Sequence, residues 1–522
     1  MPFTSTMRDV PATRRRVWRR VALLVCAAIW VGTALWQTNK PLPPGLHVNS
    51  PWYPVAARDV TFIADVTSAD AYGRPIVSQA IFDEVLRAVH AARRFVVLDY
   101  YLFGGSARSD DQASMDPPPG VLPRQLSAEL RDALIQQRRA QPGLRVLFIT
   151  DPVSELYGDR PSSDLSALQA AGVEVSVTNL RRLRDPNFVY SSLWRLSIGW
   201  WSGTGRTGSN GVEGWLPNPL LESDAPVSFR AWTRLLNFKS NHRNVLLADD
   251  GHDDLVAIVG SASPHDASAA HSNVALKVVG PAMLPLLRSE LAVARLSGWQ
   301  GSLEPIEAIA AAAPTAGGPA PPFGNRAKVL TEGAIRAALI ERLDACARGD
   351  SVDIAMFYVA DRGIVQALLA ASRRGATVRL ILDPNKDAYG HARAGIPNQP
   401  VASELVASSD GAIHVRWYRT HGEQFHTKLA VVYGADRLWL MVGSANLTRR
   451  NLLDYDLEAN VAIDLERNSP MALQVLDYFD TLWNNRAPLG IEYTADFGFY
   501  SDPSQLHYWL YRFLEGTGAS VF

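Results

Sequence analysis

The feature that most constrains this chain is an internal duplication. Each half has an amphipathic helix followed by a buried strand, then a second helix and a strand that ends in Asp-Pro. Each half then has a histidine ahead of an apolar strand, with the serine of a Gly-Ser pair 18 or 19 positions later. Agreement over four successive landmarks indicates two copies of one αβ unit. The paired landmarks are 81–103 and 335–358, Asp151 and Asp383, His242 and His426, and Ser261 and Ser444.

The duplication predicts an α/β fold of two similar layered αβα halves, related by a pseudo-twofold axis with a site at their interface. The halves span 58–300 and 326–490, and a linker rich in Ala, Pro and Gly joins them at 309–324. The first half carries a tryptophan-rich insertion at 186–230. Insertions of this kind are typical of lids or binding elements, and this one favours contact with lipid over a simple cap on the core. A C-terminal extension covers 491–522.

Residues 1–40 combine a basic segment with one apolar stretch. Val21–Trp36 holds 16 uncharged residues, slightly fewer than the roughly 20 that cross a bilayer. Arginines ahead of a single apolar stretch predict an N-inside orientation, with the remaining chain across the membrane. An uncleaved anchor is the preferred interpretation, and a removed signal peptide is the alternative. The arginines are Arg8, Arg14, Arg15, Arg16, Arg19 and Arg20.

Charge and cysteine content narrow the class of protein. The 51 Lys and Arg balance 52 Asp and Glu for a formal charge of −1, so no global basic field attracts nucleic acid. Apolar residues make up 47% of the chain, as in ordinary globular proteins. Two cysteines are too few for a disulfide framework or a cysteine zinc site. Neither a metal nor a cofactor is expected.

Paired histidines at repeat positions have a clear use in phosphodiester chemistry. One imidazole attacks phosphorus, and a second on the opposite side protonates the leaving oxygen. A lysine neutralises the phosphoryl oxygens as charge builds in the transition state. Ser and Asn after the Gly-Ser turn can donate hydrogen bonds to the same oxygens. A pseudo-twofold would bring His242 and His426 to one phosphorus, with Lys428 beside the second.

This pattern resembles the phospholipase D superfamily, whose two HxKxxxxD motifs, each followed by GSxN, meet between two similar halves. The resemblance extends from about Phe62 to Trp483, and bacterial membrane-associated members related to cardiolipin synthases are most similar in layout. Residues His426, Lys428 and Gly443 to Asn446 match the second motif. The first motif and the later acidic position are matched by His242, Asp249, Gly260, Ser261 and Glu458.

The resemblance implies a set of site residues. It implies phosphohistidine at His242 with acid and base work by His426, and the reverse assignment stays open because Lys428 flanks His426. Asp249 is expected to serve His242, and His271 occupies the repeat position of Glu458. The implied catalytic residues are His242, His426, Lys428 and Asp249, and the implied substrate-binding residues are Asn244, Ser261, Ser444, Asn446 and Glu458.

Three positions depart from the family pattern. Asn244 stands where the first motif has lysine, and Ser263 where it has asparagine. Tyr433 occupies the aspartate position of the second motif, so His426 needs another partner, and Asp436 is three positions too far. Loss of one cation from a phosphate clamp costs about 2–4 kcal/mol in the transition state, which predicts reduced activity.

The resulting hypothesis is a phospholipase D-like phosphodiesterase or phosphatidyltransferase that acts on phospholipid headgroups through a phosphohistidine. Its expected location is the bacterial inner membrane with a periplasmic catalytic region, or outside the cell if the apolar segment is cleaved. The expected partners are a phospholipid and the membrane surface, nucleic acid is not favoured, and the oligomeric state is open. The alternatives are a nuclease of the same superfamily and a catalytically degenerate lipid-binding or scaffold protein.

Overall fold

The structure is a computed structural model, and it describes residues 12–70, 72–104, 124–201, 214–217, 226–252, 254–302, 324–388, 391–392, 394–486, 491–520 and 522. The linker predicted at 309–324 lies outside the described residues except for Gly324, and so do two parts of the insertion, 202–213 and 218–225.

Helices and strands alternate along the chain as the sequence pattern predicts. The helices before the linker are α1 (Ala12–Asn39), α2 (Ile81–Ala91), α3 (Leu126–Ala140), α4 (Ser163–Ala170), α5 (Phe188–Leu196), α6 (Ile198–Trp201), α7 (Phe229–Leu235) and α8 (Leu284–Leu296). Those of the second half are α9 (Gly333–Asp344), α10 (Arg362–Arg373), α11 (Asn398–Ser408), α12 (Arg449–Leu452), α13 (Pro470–Trp483) and α14 (Gln505–Thr517).

The strands form two large sheets. Those before the linker are β1 (Tyr53–Pro54), β2 (Val60–Ala69), β3 (Pro75–Ser78), β4 (Phe95–Tyr100), β5 (Arg145–Thr150), β6 (Glu174–Val177), β7 (Asn244–Asp249), β8 (Leu255–Gly260) and β9 (Asn273–Val279). Those after it are β10 (Arg326–Thr331), β11 (Ser351–Met356), β12 (Thr377–Leu382), β13 (Asp387–Ala388), β14 (His391–Ala392), β15 (Ile413–Tyr418), β16 (Lys428–Tyr433), β17 (Arg437–Gly443), β18 (Ala459–Glu466) and β19 (Thr494–Asp496).

The two sheets repeat one topology. The first has the order β3-β2-β9-β8-β7-β4-β5-β6, and the second has β1-β10-β18-β17-β16-β11-β12-β15-β19. Seven strands correspond one to one, from β2 with β10 at one edge to β6 with β15 near the other. The predicted two-lobed α/β fold is therefore confirmed. The second sheet also recruits β1 from the segment before the first half and β19 from the predicted C-terminal extension.

The two sheets pack on each other through a shared apolar core. Strands β8 and β9 of the first sheet contact β17 and β18 of the second. The core contains fully buried aliphatic side chains from both halves, among them Val259, Leu276, Leu440 and Val461. Because each sheet has apolar side chains on both faces, helices cover the outer faces in two further cores, one per half. The layered arrangement places the ends of the motif strands at the interface.

Helix α1 is the one helix, within the described part of the chain, that is long and apolar enough to cross a membrane. Its candidate span, Arg16–Asn39, has 24 residues, and the most apolar 18-residue window in it has a mean hydropathy of 1.7 with 6% of the window buried. The end of α1 is held by the first half, since Asp185 N donates to Gln37 O at 3.1 Å and Lys40 Nζ donates to Arg181 O at 3.3 Å. An N-terminal helix of this kind is compatible with an anchor or a signal segment.

Candidate functional site

The two predicted histidines stand immediately before corresponding strands. His242 precedes β7 and His426 precedes β16, and in both cases one residue separates the histidine from the strand. Main-chain bonds between the halves hold these segments: His242 N donates to Leu457 O at 2.9 Å, and Ser272 N donates to Gln424 O at 3.1 Å. Each half therefore fixes the histidine segment of the other, which explains why the site forms only where the halves meet.

Two buried aspartates, Asp151 and Asp383, hold the backbone of the histidine segments by hydrogen bonds. Asp151 Oδ2 accepts from Asn241 N at 2.7 Å, and Asp383 Oδ2 accepts from Phe425 N at 2.8 Å. These are the Asp-Pro landmarks of the duplication, and each bonds the residue just before its histidine. Burial raises the pKa of Asp151 to about 8. The sequence marked both residues as landmarks, and the structure makes them supports of the site.

Glu458 of the second half contacts His242 of the first. Its Oε1 lies 2.9 Å from His242 Nδ1, and both side chains are buried. Oε1 also accepts from Asn451 Nδ2, while Oε2 accepts from the Ser444 hydroxyl. The Tyr101 ring packs on His242 with 4.7 Å between centroids. The acidic side chain of one half therefore lies directly beside the imidazole of the other.

His426 has a different environment from His242. Its Nδ1 lies 3.1 Å from Asn273 Oδ1, and its Nε2 lies 3.0 Å from Lys428 Nζ. Burial lowers the pKa of His426 well below its ordinary value, and the nearby charges of Lys428, His271 and His242 lower it further. Because Asn273 Oδ1 can only accept, Nδ1 carries the hydrogen and the Nε2 lone pair faces Lys428.

Lys428 links the two histidine environments. Burial lowers its pKa to about 7, while the charges of Glu458 and Asp383 oppose that shift. The pKa of Lys428 is thus raised by Glu458, which contacts His242. The pKa of His426 is lowered by the charge of His242. Lys428 contacts His426 directly, and Glu458 contacts His242 across the boundary between the halves.

The repeat partner of Glu458 is Asn273 and not His271. Gly260 pairs with Ala275 in the first sheet, and Gly443 pairs with Asn460 in the second, so the residue two positions before each partner is equivalent. The hydroxyls of Ser261 and Ser444 confirm this register, because Ser261 donates to Asn273 Oδ1 at 2.8 Å just as Ser444 donates to Glu458. The expectation for His271 is therefore wrong.

His271 nevertheless lies near the site. Its ring centroid is 6.1 Å from that of His426, and its Nδ1 accepts from Gln424 N at 3.1 Å. Burial lowers the pKa of His271 to about 3, so the ring is neutral. It supports the backbone just before His426.

The residues expected to bind substrate fall into two groups. Ser261 and Ser444 are fully buried, and their hydroxyls hold Asn273 and Glu458. Glu458 itself binds His242. Asn446 is buried, and its Oδ1 has no hydrogen-bond partner among the described residues. An unpaired buried acceptor is costly, so a hydroxyl or water partner at Asn446 is physically favoured.

The two departures in the first motif bond to each other. The Ser263 hydroxyl donates to Asn244 Oδ1 at 2.6 Å, and Asn244 Nδ2 donates to Ser261 O at 3.4 Å. Both Asn244 and Ser263 are buried. A polar pair therefore occupies the place where the family pattern has a lysine and an asparagine, and the two substitutions are structurally compensated.

Asp249 does not reach His242, which corrects the expected partnership. It lies at the far end of β7, where its carboxylate accepts from the backbone N–H groups of Arg93, Arg94 and Phe95 at 2.8–3.2 Å. Tyr433 has the corresponding place at the end of β16, and its hydroxyl lies 3.4 Å from Arg379. A strand rises about 3.3 Å per residue, so seven positions separate the motif acid from the histidine by too much. The role of Asp249 is structural.

A buried ion cluster behind the site was not predicted. Arg243, fully buried, donates to Glu290 Oε1 at 3.0 Å and to Glu332 Oε1 at 2.7 Å. Glu332 Oε1 also accepts from Glu458 N at 3.2 Å, so the cluster holds the backbone of the residue that contacts His242. Alternation along the strand places Arg243 on the face opposite His242. An arginine between two motif residues was the available signal.

Two glycines let the strands approach closely at the Gly-Ser turns. A Cβ at Gly260 would collide with Val274 O, and one at Gly443 would collide with Ala459 O. A side chain at either position would push β8 from β9 or β17 from β18. The glycines thereby keep Ser261 and Ser444 within reach of Asn273 and Glu458.

A cavity of about 470 Å³ lies beside the site at the strand ends of the first half. Thr178, Lys239 and Trp194 are among its lining residues, and neither motif histidine lines it. Thr178 accepts from Asn241 Nδ2 at 3.0 Å, which connects the cavity wall to the segment before His242. Trp194 of the insertion is buried, whereas Trp215 is exposed. In the described part of the chain, no group of three His, Cys, Asp or Glu is placed to hold a metal ion.

Comparison with known proteins agrees with the geometry. Residues 339–483 match a family model described as "Cardiolipin synthase, PLD-like domain". A phosphatidylserine synthase from Haemophilus influenzae Rd KW20 is similar in structure, with a TM-score of 0.51 and 11% identity over 94% of this chain and 98% of that one. No curated protein matches the sequence.

Two further solved structures give weaker matches. A polyphosphate kinase from Porphyromonas gingivalis has a TM-score of 0.41 at 12% identity, over 89% of this chain and 56% of that one. The phospholipase D family member Nuc from Salmonella typhimurium has a TM-score of 0.25 at 21% identity, over 33% of this chain and 97% of that one. Residues 339–483 therefore resemble a phospholipase D-like domain, and the two-lobed fold of the chain is similar to that of the synthase.

Proposed function

We propose that this protein is a phosphodiesterase or phosphatidyltransferase that acts on phospholipid headgroups through a phosphohistidine. The observation that carries the proposal is that one imidazole from each half lies where the halves meet, with Lys428 Nζ 3.0 Å from His426 Nε2. Each imidazole has its Nδ1 against an acceptor, Glu458 or Asn273, that follows a Gly-Ser turn in the other half. Two Nε2 atoms are thereby left to act on one phosphorus.

The unequal acceptors favour His426 as the nucleophile and His242 as the acid. Asn273 is neutral and Lys428 is close, so the imidazole of His426 is held uncharged, and its Nε2 lone pair would be released for attack when Lys428 Nζ turns to the phosphoryl oxygens. The carboxyl oxygen Oε1 of Glu458 lies 2.9 Å from His242 Nδ1, so His242 is the imidazole with an acidic neighbour. This assignment is the reverse of the one that the family resemblance implies.

The proposed reaction has two steps. His426 Nε2 attacks phosphorus and forms a P–N bond while the bond from phosphorus to the headgroup oxygen breaks, and His242 gives its Nε2 proton to that oxygen. The neutral His242 then takes a proton from water or an alcohol, whose oxygen attacks phosphorus and displaces His426. Lys428 would neutralise the phosphoryl oxygens in both transition states, and Asn446 would offer a further polar contact.

The choice of a phospholipid rests on three observations. Helix α1 is a candidate membrane span, the formal charge of −1 gives no general attraction for nucleic acid, and the matched family model carries a lipid-enzyme description. We infer that α1 anchors the chain with its N-terminus in the cytoplasm, because six arginines precede the apolar stretch. The catalytic region would then face the periplasm.

The test uses the full-length protein in vesicles that contain phosphatidylglycerol or phosphatidylcholine. Headgroup release, or exchange with added glycerol, is expected for the wild type and for His414→Ala, which removes an exposed histidine on β15. His242→Ala and His426→Ala should both fall to background. Phosphate trapped during turnover should map to His426. Equal turnover by wild type and His426→Ala would refute the proposal.

A non-catalytic lipid-binding protein is the second candidate, and the bonded pair of Asn244 and Ser263 favours it. These residues fill the position of the first motif lysine without supplying charge. This candidate predicts vesicle binding with no turnover of any phospholipid or of single-stranded DNA. Replacement of both histidines would then leave the cellular role unchanged.

A further inference from the structure

The C-terminal helix α14 has one buried face. The Tyr511 hydroxyl accepts from Arg362 Nη1 at 2.7 Å and donates to Glu404 at 3.3 Å. Glu515, also buried, accepts from Arg449 N. Because these contacts join α14 to α10, α11 and α12, the helix is docked on the second half and is not a free tail.

The opposite face of α14 is apolar and exposed. Leu506, Trp509, Leu510 and Phe513 are 75%, 62%, 41% and 63% exposed. Their spacing of three, one and three residues places them in a single stripe along the helix. Phe499, just before the helix, is 62% exposed as well. Large aromatic and aliphatic side chains in one contiguous stripe mark an interaction surface.

The end of α14 lies against the start of α5. A Cβ on Gly518, whose φ is +69°, would collide with Pro186 O, so the segment after α14 and the segment before α5 are in contact there. Arg449 Nη1 donates to Pro186 O at 3.3 Å on the same side. Helix α5 has its own exposed apolar face, formed by Phe188, Val189, Leu193 and Leu196.

Helix α5 in turn packs on the candidate membrane span. Trp30 Nε1 of α1 donates to Val189 O at 3.4 Å, and Thr38 Oγ1 donates to Asp185 O at 3.3 Å. Helices α14, α5 and α1 are therefore neighbours in the fold, and α14 and α5 each carry exposed apolar side chains. A bilayer that contains α1 must have its surface close to the point where α1 meets α5.

We propose that the exposed faces of α5 and α14 form one docking surface for the lipid bilayer, which we call the lipid-docking face. Trp and Phe side chains favour the headgroup region, and an apolar helical stripe inserts in the plane of the interface. The polar body of the protein stays in water because Tyr511 and Glu515 face the second half. The lipid-docking face would hold the catalytic region in a fixed orientation on the membrane. This proposal rests on the proposed membrane-spanning role of α1, and it does not require that the protein be catalytically active.

The first experiment measures depth with a fluorescent label. In a Cys26→Ser, Cys346→Ala background, Leu510→Cys carries an environment-sensitive dye, and the full-length protein is placed in nanodiscs that contain spin-labelled phosphatidylcholine. The expected result is a blue-shifted emission that the spin label quenches. Leu473→Cys is the matched control, since Leu473 is half-exposed on α13, which packs against the first half, and its label should stay unquenched.

Quenching equal to that of the control would overturn the proposal. A blue shift without quenching, together with dimers in single-particle mass measurements, would show that a second copy covers the face and would also overturn it. A second measurement keeps the native cysteines: hydrogen exchange over Gln505–Thr517 in nanodiscs should be faster in Trp509→Asp than in wild type. Equal exchange would contradict docking. Neither measurement requires turnover, so a negative result in the headgroup-release assay would not affect the outcome of this test.

Discussion

Substitution of Glu458 by Gln separates charge from shape at the site. In the wild type, Oε1 faces His242 Nδ1 and Asn451 Nδ2, and Oε2 faces the Ser444 hydroxyl. A glutamine can keep its oxygen toward His242 and Asn451 and turn its amide group toward Ser444, whose oxygen accepts hydrogen bonds. The substitution therefore removes the negative charge and keeps the contacts.

The magnitude follows from the distance. Two unit charges 2.9 Å apart interact by about 6 kcal/mol at an effective dielectric constant of about 20, which is an upper limit for the loss. Loss of the acid partner of a catalytic histidine lowers kcat by about 10⁴ in the best-known triad. Because the amide oxygen of Gln still faces Nδ1, we expect kcat to fall by about 10³, roughly 4 kcal/mol.

The assay is headgroup release by the full-length protein in vesicles, with thermal unfolding measured in parallel. Glu404→Gln is the matched control, because it makes the same chemical change where Glu404 pairs with Arg362, away from the histidines. Glu458→Gln should keep its Tm and lose turnover, and Glu404→Gln should keep turnover. Undiminished turnover in Glu458→Gln would refute the role of Glu458 as the charge partner of His242.

Three further predictions address the other features of the site. The double substitution Asn244→Lys, Ser263→Asn should raise kcat/KM by about 30- to 1,000-fold, because it restores the cation whose loss costs about 2–4 kcal/mol. An unchanged kcat/KM in a folded double variant would contradict this reasoning. The affinity for sulfate, measured by calorimetry, should weaken as pH rises through about 7. Burial lowers the pKa of Lys428 to about 7, and a bound anion favours the charged form of this lysine. Lys428→Gln should abolish the pH dependence of sulfate binding. Asp249→Ala should lower the free energy of unfolding by about 3 kcal/mol, since four backbone N–H groups lose an acceptor, and kcat of the folded fraction should not change.

The fold was predictable because its signals are local. A helical period followed by an apolar run predicts each αβ unit, and the recurrence of Asp151 and Asp383 places the two units in the same order. The histidines and Lys428 were found for the same reason. The structural role of Asp249 was not predictable from the sequence. The backbone N–H groups that donate to its carboxylate lie at the start of β4, about 150 residues away in sequence.

The charge environment of each histidine could not be predicted within a half, since each acceptor comes from the other half. Glu458 belongs to the second half and contacts His242 of the first, whereas Asn273 belongs to the first and contacts His426. The two αβ units keep one topology, so duplication alone would make the two imidazoles equivalent. One carboxylate replaced by an amide makes them unequal, and the neutral amide lies beside the histidine that retains Lys428. Under the proposed mechanism, the acid-to-amide difference between Glu458 and Asn273, together with Lys428 beside His426, gives different roles to two histidines on equivalent strands.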